Sequence, residues 1–339
     1  MRQVVMYGPR DVRVENRDDP TIIEPTDAII RLAATCICGS DLWPYRGAEP
    51  VDHQVMGHEY VGVVEQIGSE VHRVTVGDFV VGSFWASDNT CEICQAGYQA
   101  YCRHRVLMGT LGTQSELARI PLADGTLVAT PGIPEPDLIP SLMAASDVLG
   151  TGWFAAVAAE VGPGKTVAVV GDGAVGLLGI LAAKQLGADR IIAFSRHTDR
   201  QALAREFGAT DIVEERGDAG VAKVKDLTDG LGAHSVIEAV GTQEAMMQAI
   251  RSARPGGHVG FVGVSHDVKI PGEELFMAGV HLHGGPAPVR RFLPELIQLI
   301  WDRRIDPGKV FDLTLPLEQA ADGYRAMDQR TATKVLLTV

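Results

Sequence analysis

The sequence predicts an α/β protein of two domains, one β-rich and one built on a doubly wound parallel sheet. Three features carry this reading. At 339 residues the chain is too long for one ordinary core and long enough for two that each bury a substantial interior. From Met1 to about Pro131 it runs in short β-branched stretches broken by Gly, Pro and Asp. From about Gly152, apolar strands alternate with helical periods, as a parallel sheet with crossover helices requires.

In the first part, strands are expected at Gln3 to Tyr7, Val12 to Glu15, Ala28 to Ala34, Glu59 to Ile67, Asp78 to Phe84 and Glu116 to Ile120. Val61-Gly62-Val63-Val64 and Phe79-Val80-Val81-Gly82 mix β-branched residues with glycine, which suits a barrel-like antiparallel sheet. Four prolines between Pro131 and Pro140 mark a boundary, after which a helical run begins. In the second part, strands are expected at Thr166 to Val170, Arg190 to Phe194, Asp211 to Val213, Ser235 to Val240 and His258 to Val264. Helices are expected at Ala174 to Leu186, Thr198 to Phe207, Val221 to Leu227 and Glu244 to Ala253. Val280 to His283 reads as an edge strand. The apolar stripe of Phe292, Leu293, Leu296, Ile297 and Ile300 reads as the core face of a helix, followed by a final strand from Lys334.

The formal charge of −13, from 30 basic and 43 acidic residues, argues against nucleic acid or an anionic membrane as a bulk partner. The first residues lack the pattern of a signal peptide, so a cytoplasmic location is expected. The longest apolar run, Thr166 to Ala183, contains Asp172 and four glycines and reads as part of a nucleotide fold rather than a membrane span. Five cysteines, three of them clustered, suggest metal ligands before disulfides in such a chain.

Cys36-Ile37-Cys38-Gly39-Ser40-Asp41 places thiols, a hydroxyl and a carboxylate together at the end of an apolar run. Gly57-His58-Glu59 follows about twenty residues later. A thiolate and an imidazole from separate segments, each beside a carboxylate, are what an open zinc site needs. Asp147, in Ala144 to Gly152, is the candidate third ligand, with a helix cap as the competing reading. A second cluster, Cys91-x2-Cys94-x7-Cys102 with Asp88 three residues ahead, has the spacing of a tetrahedral structural zinc lobe; reduced thiols in a loop are the alternative.

Gly171-Asp172-Gly173-Ala174-Val175-Gly176 is a G-x-G-x-x-G that directly follows a strand and opens a helix, the setting of a dinucleotide pyrophosphate site. At the end of the next strand, an acidic residue would accept both ribose hydroxyls. Here the residues are Phe194-Ser195-Arg196-His197, with Arg200 beyond. A hydroxyl and two guanidinium groups are suited to a 2′-phosphate, so NADP(H) is expected over NAD(H).

Taken as an ordered set, these marks resemble the zinc-dependent alcohol dehydrogenases of the medium-chain dehydrogenase/reductase superfamily across essentially the whole chain. The resemblance implies a GroES-like catalytic domain at 1–150, completed by 287–339, and a Rossmann domain at 151–286. It implies catalytic roles for Cys38, Ser40, His58 and Asp147. Cys38, His58 and Asp147, with Glu59 adjacent, correspond to the catalytic zinc site, and Asp88, Cys91, Cys94 and Cys102 to the structural one. Asp41 corresponds to a carboxylate that orients His58, and Ser40 to the hydroxyl that moves the substrate proton. Cofactor contacts are implied at Thr151, Gly171, Gly173, Ala174, Val175, Gly176, Ser195, Arg196, Arg200, Val240, Gly241 and Val264, and at Lys334, matched to a base that reaches the cofactor phosphates.

The implied reaction is hydride transfer between NADP(H) and a small alcohol, ketone or aldehyde, in a homo-dimer or homo-tetramer. A polyol, amino-alcohol or aldehyde dehydrogenase of the same fold is the alternative, and an NADPH-binding structural protein the non-enzymatic one. Two positions depart from the family pattern. Trp43 stands where many relatives place a relay histidine, so His53, water or the ribose must serve, and Asp88 stands where a cysteine is usual.

Overall fold

The computed structural model describes all residues, 1–339, and the chain divides into two compact units, Met1–Gly150 with Pro288–Val339, and Thr151–Ala287. The expected boundary at Pro131 to Pro140 falls inside the first unit. The chain leaves that unit only within the helix Val148–Ala158.

The first unit is organised on the strand Ala28–Ile37, nearly all of whose residues are buried. It is central in a seven-stranded sheet that runs Leu127–Ala129, Phe79–Gly82, Tyr60–Ile67, Ala28–Ile37, Val335–Thr338, Leu313–Pro316, with Leu117–Ile120 also paired to the central strand. Hydrophobic clusters form around it, one from Ile30, Leu32, Tyr60, Val64, Val80 and Leu127, the other from Val4, Ile37, Tyr45, Tyr324, Val335 and Leu337. Val335 pairs antiparallel with Ile37 and Leu336 with Cys36, so the final strand lies directly behind the Cys38 turn. Val335, Leu336 and Leu337 are each at most 5% exposed. Burying one such side chain contributes about 1.5–3 kcal/mol, enough to dock this short strand firmly.

The second unit holds a six-stranded, wholly parallel sheet in the order Asp211–Val213, Arg190–Phe194, Thr166–Val170, Ala233–Glu238, Ala253–Phe261, His281–Gly284. Its helices include Ala174–Gln185, Thr198–Phe207, Gly217–Asp226 and Gln243–Ser252. The long apolar run resolves into a strand and a helix broken at Gly171 to Gly173, and no single helix is long and apolar enough to cross a membrane. The strand expected from His258 begins at Ala253, because Ala233 already pairs there and a register shift lets it continue into His258. The final strand His281–Gly284 lies at the sheet edge.

Candidate active site

In the first unit, three separate local structures deliver the candidate ligands. Cys38 follows the central strand, and Asp41 Oδ2 accepts a hydrogen bond from Cys38 N at 3.0 Å, closing the turn into the short helix Leu42–Tyr45. His58 follows Gly57, which has φ +96°; a Cβ there would stand 2.5 Å from Gln114 N, so only glycine fits. Asp147 occupies the break between helices Ile139–Ala145 and Val148–Ala158. That break is pinned by Ser146, whose Oγ accepts from Tyr60 N at 3.0 Å and donates to Gly82 O at 2.7 Å. Asp147 is therefore held toward His58 by the sheet.

One donor atom from each of Cys38, His58, Glu59 and Asp147 lies within 4.8 Å of the others. His58 Nε2 is 3.4 Å and Cys38 Sγ 3.8 Å from Asp147 Oδ2. Ligands at about 2.0–2.3 Å from one tetrahedral ion are roughly 3.3–3.8 Å apart, so these donors fit zinc in both type and spacing. His58 Nδ1 lies 3.5 Å from Asp41 Oδ1, which leaves Nε2 as the metal-facing nitrogen. Asp41 is in turn held by Gln114 Nε2 at 3.2 Å, and Gln114 Oε1 accepts from Tyr324 OH at 3.0 Å.

Charge also calls for a cation here. Glu59 is fully buried, and its Oε2 has no hydrogen-bond partner while Oε1 accepts from Lys334 Nζ at 2.8 Å. Lys334 also donates to Ile37 O at 3.3 Å. Burial works to lower the Lys334 pKa, but Cys36, Glu59 and Cys38 together raise it well above the ordinary range, so it stays charged. Burial, then Glu59, raise the Cys38 thiol. Burial works to lower His58, but Cys38, Asp147 and Asp41 raise it well above the ordinary range, so without a metal a proton sits where a cation would. A divalent ion among these donors would take the place of the His58 and Cys38 protons, freeing the imidazole nitrogen and the thiolate as ligands. Lys334 was expected at the cofactor phosphates. It is 1% exposed and committed to Glu59, because the final strand carries its side chain into the interior behind Ile37.

The second cluster forms as well, with donor atoms of Asp88, Cys91, Cys94 and Cys102 within 4.8 Å of one another. Cys91 Sγ lies 3.5 Å from Cys94 Sγ and 3.9 Å from Cys102 Sγ. Asp88 Oδ1 accepts from Thr90 N and Cys91 N, while Oδ2 lies 2.7 Å from His104 Nδ1. Burial raises the Asp88 carboxyl, and these bonds outweigh it, holding the group far below the usual carboxylate range. Backbone N–H groups of Arg103 and Cys94 lower Cys91 to about 7, which favours the thiolate a metal requires. Sequence reading missed His104, Gln114 and Tyr324. Ser40 and Trp43 are half-buried on the first turn, and His53 is exposed, its Nδ1 2.5 Å from Asp52 Oδ1.

In the second unit, the glycine loop has the form a dinucleotide needs. A Cβ at Gly176 would stand 2.0 Å from Gly171 O, whereas nothing lies within 4 Å of one at Gly173, where a ligand backbone could approach. Thr151 is buried, Ala174 and Val175 begin the helix, and Val240 and Val264 are exposed. Glu238, unnoticed in the sequence, fixes the Val240–Gly241 turn by accepting from both N–H groups at 2.8 Å.

The ribose end differs from expectation. Ser195 Oγ donates to Asp172 Oδ2 at 2.9 Å, and Arg200 Nη1 lies 3.3 Å from Asp172 Oδ1. A carboxylate therefore does stand beside two of the three groups expected to hold a 2′-phosphate. Arg196 alone of the three is exposed and makes no such contact.

Family models agree with this geometry. Residues 24–132 match the alcohol dehydrogenase GroES-like domain, and residues 174–302 match the zinc-binding dehydrogenase domain. The chain is 37% identical, over 99% of its length and 87% of the relative, to a probable zinc-binding alcohol dehydrogenase of Mycobacterium tuberculosis. It belongs to the zinc-binding alcohol dehydrogenases of the medium-chain superfamily. Zinc-type alcohol dehydrogenase B of Aspergillus flavus is 36% identical over 99% of this dehydrogenase and 81% of its own length. The solved alcohol dehydrogenase of Thermus sp. ATN1 superposes with a TM-score of 0.92 at 32% identity, covering all of both chains. The two-domain α/β architecture is thus the family's own.

Proposed function

We propose that this alcohol dehydrogenase transfers a hydride between NADP(H) and a small alcohol, ketone or aldehyde, with residues 1–150 and 287–339 as the catalytic domain and 151–286 as the nucleotide domain. The observation that carries the reading is the convergence of Cys38, His58 and Asp147 at the spacing of one tetrahedral ion. When bound there, zinc supplies Lewis-acid polarisation of the substrate oxygen, and the nicotinamide supplies or accepts the hydride.

The chain's own groups do the rest. Asp41 holds the His58 ring with Nε2 forward, and Gln114 and Tyr324 hold Asp41. Ser40, on the same turn as Cys38, relays the proton: in oxidation it accepts the substrate hydroxyl proton while giving its own to solvent, and in reduction the transfer runs the other way. Glu59, held by Lys334 through Oε1, presents its other carboxylate oxygen to the same donor set. Gly171, Gly173 and Gly176 admit the pyrophosphate, and Ser195, Arg196 and Arg200 favour the 2′-phosphate.

Asp88, Cys91, Cys94 and Cys102 are assigned to a structural zinc. We assign a cytoplasmic location, since four of the five cysteines are gathered as metal donors, a use of thiols that suits a reducing compartment. Pairing through the edge strand His281–Gly284 would make the enzyme a homo-dimer or homo-tetramer.

Zinc content per chain, measured beside NADPH and NADH oxidation against a panel of ketones and aldehydes, tests the assignment. Two zincs with NADPH-dependent turnover are expected. Zinc-free protein with full turnover would refute the metal site, and faster NADH turnover would refute the cofactor preference.

A further inference from the structure

The register of the parallel sheet pairs Val170 with Phe194, so the residues that leave these strands, Gly171-Asp172 and Ser195-Arg196, emerge side by side. In a dinucleotide fold this is where the adenosine ribose is read. A carboxylate there accepts the ribose hydroxyls, and a cation accommodates a 2′-phosphate. The usual place for the carboxylate is the end of the second strand, which here carries Ser195. The carboxylate comes instead from the middle of the glycine loop. Asp172 and Arg200 are each about one-seventh exposed, at 13% and 14%, and Ser195 is 3% exposed, so the three form an ordered set rather than a solvated one.

We propose that Asp172 is a specificity-determining residue of the cofactor site, a carboxylate that accepts the hydroxyls of an unphosphorylated ribose and opposes a 2′-phosphate at Ser195 and Arg200. The inference rests on the nicotinamide-dinucleotide reading of this unit and qualifies the preference for NADP(H). With Asp172 ionised, Arg196 and Arg200 leave the subsite one net positive charge, too little to neutralise a phosphate dianion. Ser195 and one edge of Arg200 are also already engaged by the carboxylate. A neutral ribose hydroxyl meets neither obstacle, since it can donate to Asp172. Selectivity is therefore a balance in which Arg196 and Arg200 pull toward NADP(H) and Asp172 pulls toward NAD(H). Without Asp172 the subsite carries two positive charges, matching the phosphate.

The test is calorimetric titration of purified zinc-loaded protein with 2′,5′-ADP and with 5′-AMP, fragments that differ at the position in question by the 2′-phosphate. Asp172→Asn keeps an acceptor for Ser195 while removing the charge, and is expected to raise the affinity ratio for 2′,5′-ADP over 5′-AMP by about tenfold or more, equal to about 1.4 kcal/mol. Asp172→Ser gives the same readout if the asparagine variant does not fold. A merely structural role would move both ligands together, so an unchanged or lowered ratio overturns the proposal. Wild-type titrations with NADPH and NADH run alongside. Tighter NADH binding there would refute the NADP(H) preference, and the shift caused by Asp172→Asn would still decide the role of Asp172.

Discussion

Lys334 Nζ lies 2.8 Å from Glu59 Oε1, and both side chains are essentially closed to solvent, at 1% and 0% exposure. The pair joins the final strand of the first unit to the residue that follows His58. Removing one member of a buried pair strands the other charge, at a cost of about 3–5 kcal/mol. Lys334→Met should therefore lower unfolding stability by about that amount in urea titrations. Adding Glu59→Gln should recover much of it. A single variant as stable as the parent would show that Glu59 is neutral in the folded chain.

The ligand assignment makes a separate prediction. Cys38→Ser or Asp147→Ala should remove one zinc per chain and abolish turnover while leaving NADPH binding within about threefold, since the nucleotide contacts are carried by other residues. Metal analysis with fluorescence titration of NADPH checks both halves. Turnover surviving in a zinc-free variant would exclude this donor set from the chemistry.

Gln114 acts through Asp41 and so tests how far the support of His58 matters. Gln114→Leu removes the donor to Asp41 and leaves Tyr324 OH without its acceptor. Loss of such supporting contacts costs about 10–100-fold in metal affinity or activity. Competition with a chelator should show zinc held at least about tenfold more weakly, and a wild-type affinity would mean that Asp41 holds its place unaided.

For the cysteine lobe, Asp88→Ala should release its zinc, whereas Asp88→Cys should retain it and resist chelation better, because thiolate is the softer ligand. The two variants separate ligation from the carboxylate's hydrogen bonds to Thr90 and Cys91, which both substitutions remove. Zinc retained in Asp88→Ala would show that three thiolates and another donor suffice.

What was legible in the sequence were groups whose chemistry is rare and whose neighbours in the chain fix them. Cys38, His58 and Asp147 are such groups, as are the three lobe cysteines and the glycines whose steric role at Gly171 and Gly176 follows from local geometry. Lys334 was legible as a base and misplaced, since nothing along the chain tells that its strand lies behind Ile37. Gln114 and Tyr324 were silent because their roles depend on partners 73 and 210 residues away. Asp172 was visible as a residue, but its alignment with Ser195 depends on the side-by-side register of two strands.

The central position of the strand Val335–Thr338, between Ala28–Ile37 and Leu313–Pro316, also sets an order of events during synthesis. The ribosome delivers Glu59, Cys38 and Asp147 long before Lys334, and at about 5–20 residues per second the interval is on the order of tens of seconds. Through that interval the nascent first unit lacks one of its inner strands and the ammonium that balances Glu59. Residues 151–287, which contribute all six strands of their own sheet, can close first. A chain released before Lys334 would carry a finished nucleotide fold beside an unfinished catalytic one, an exposed sheet edge that chaperones and proteases can recognise.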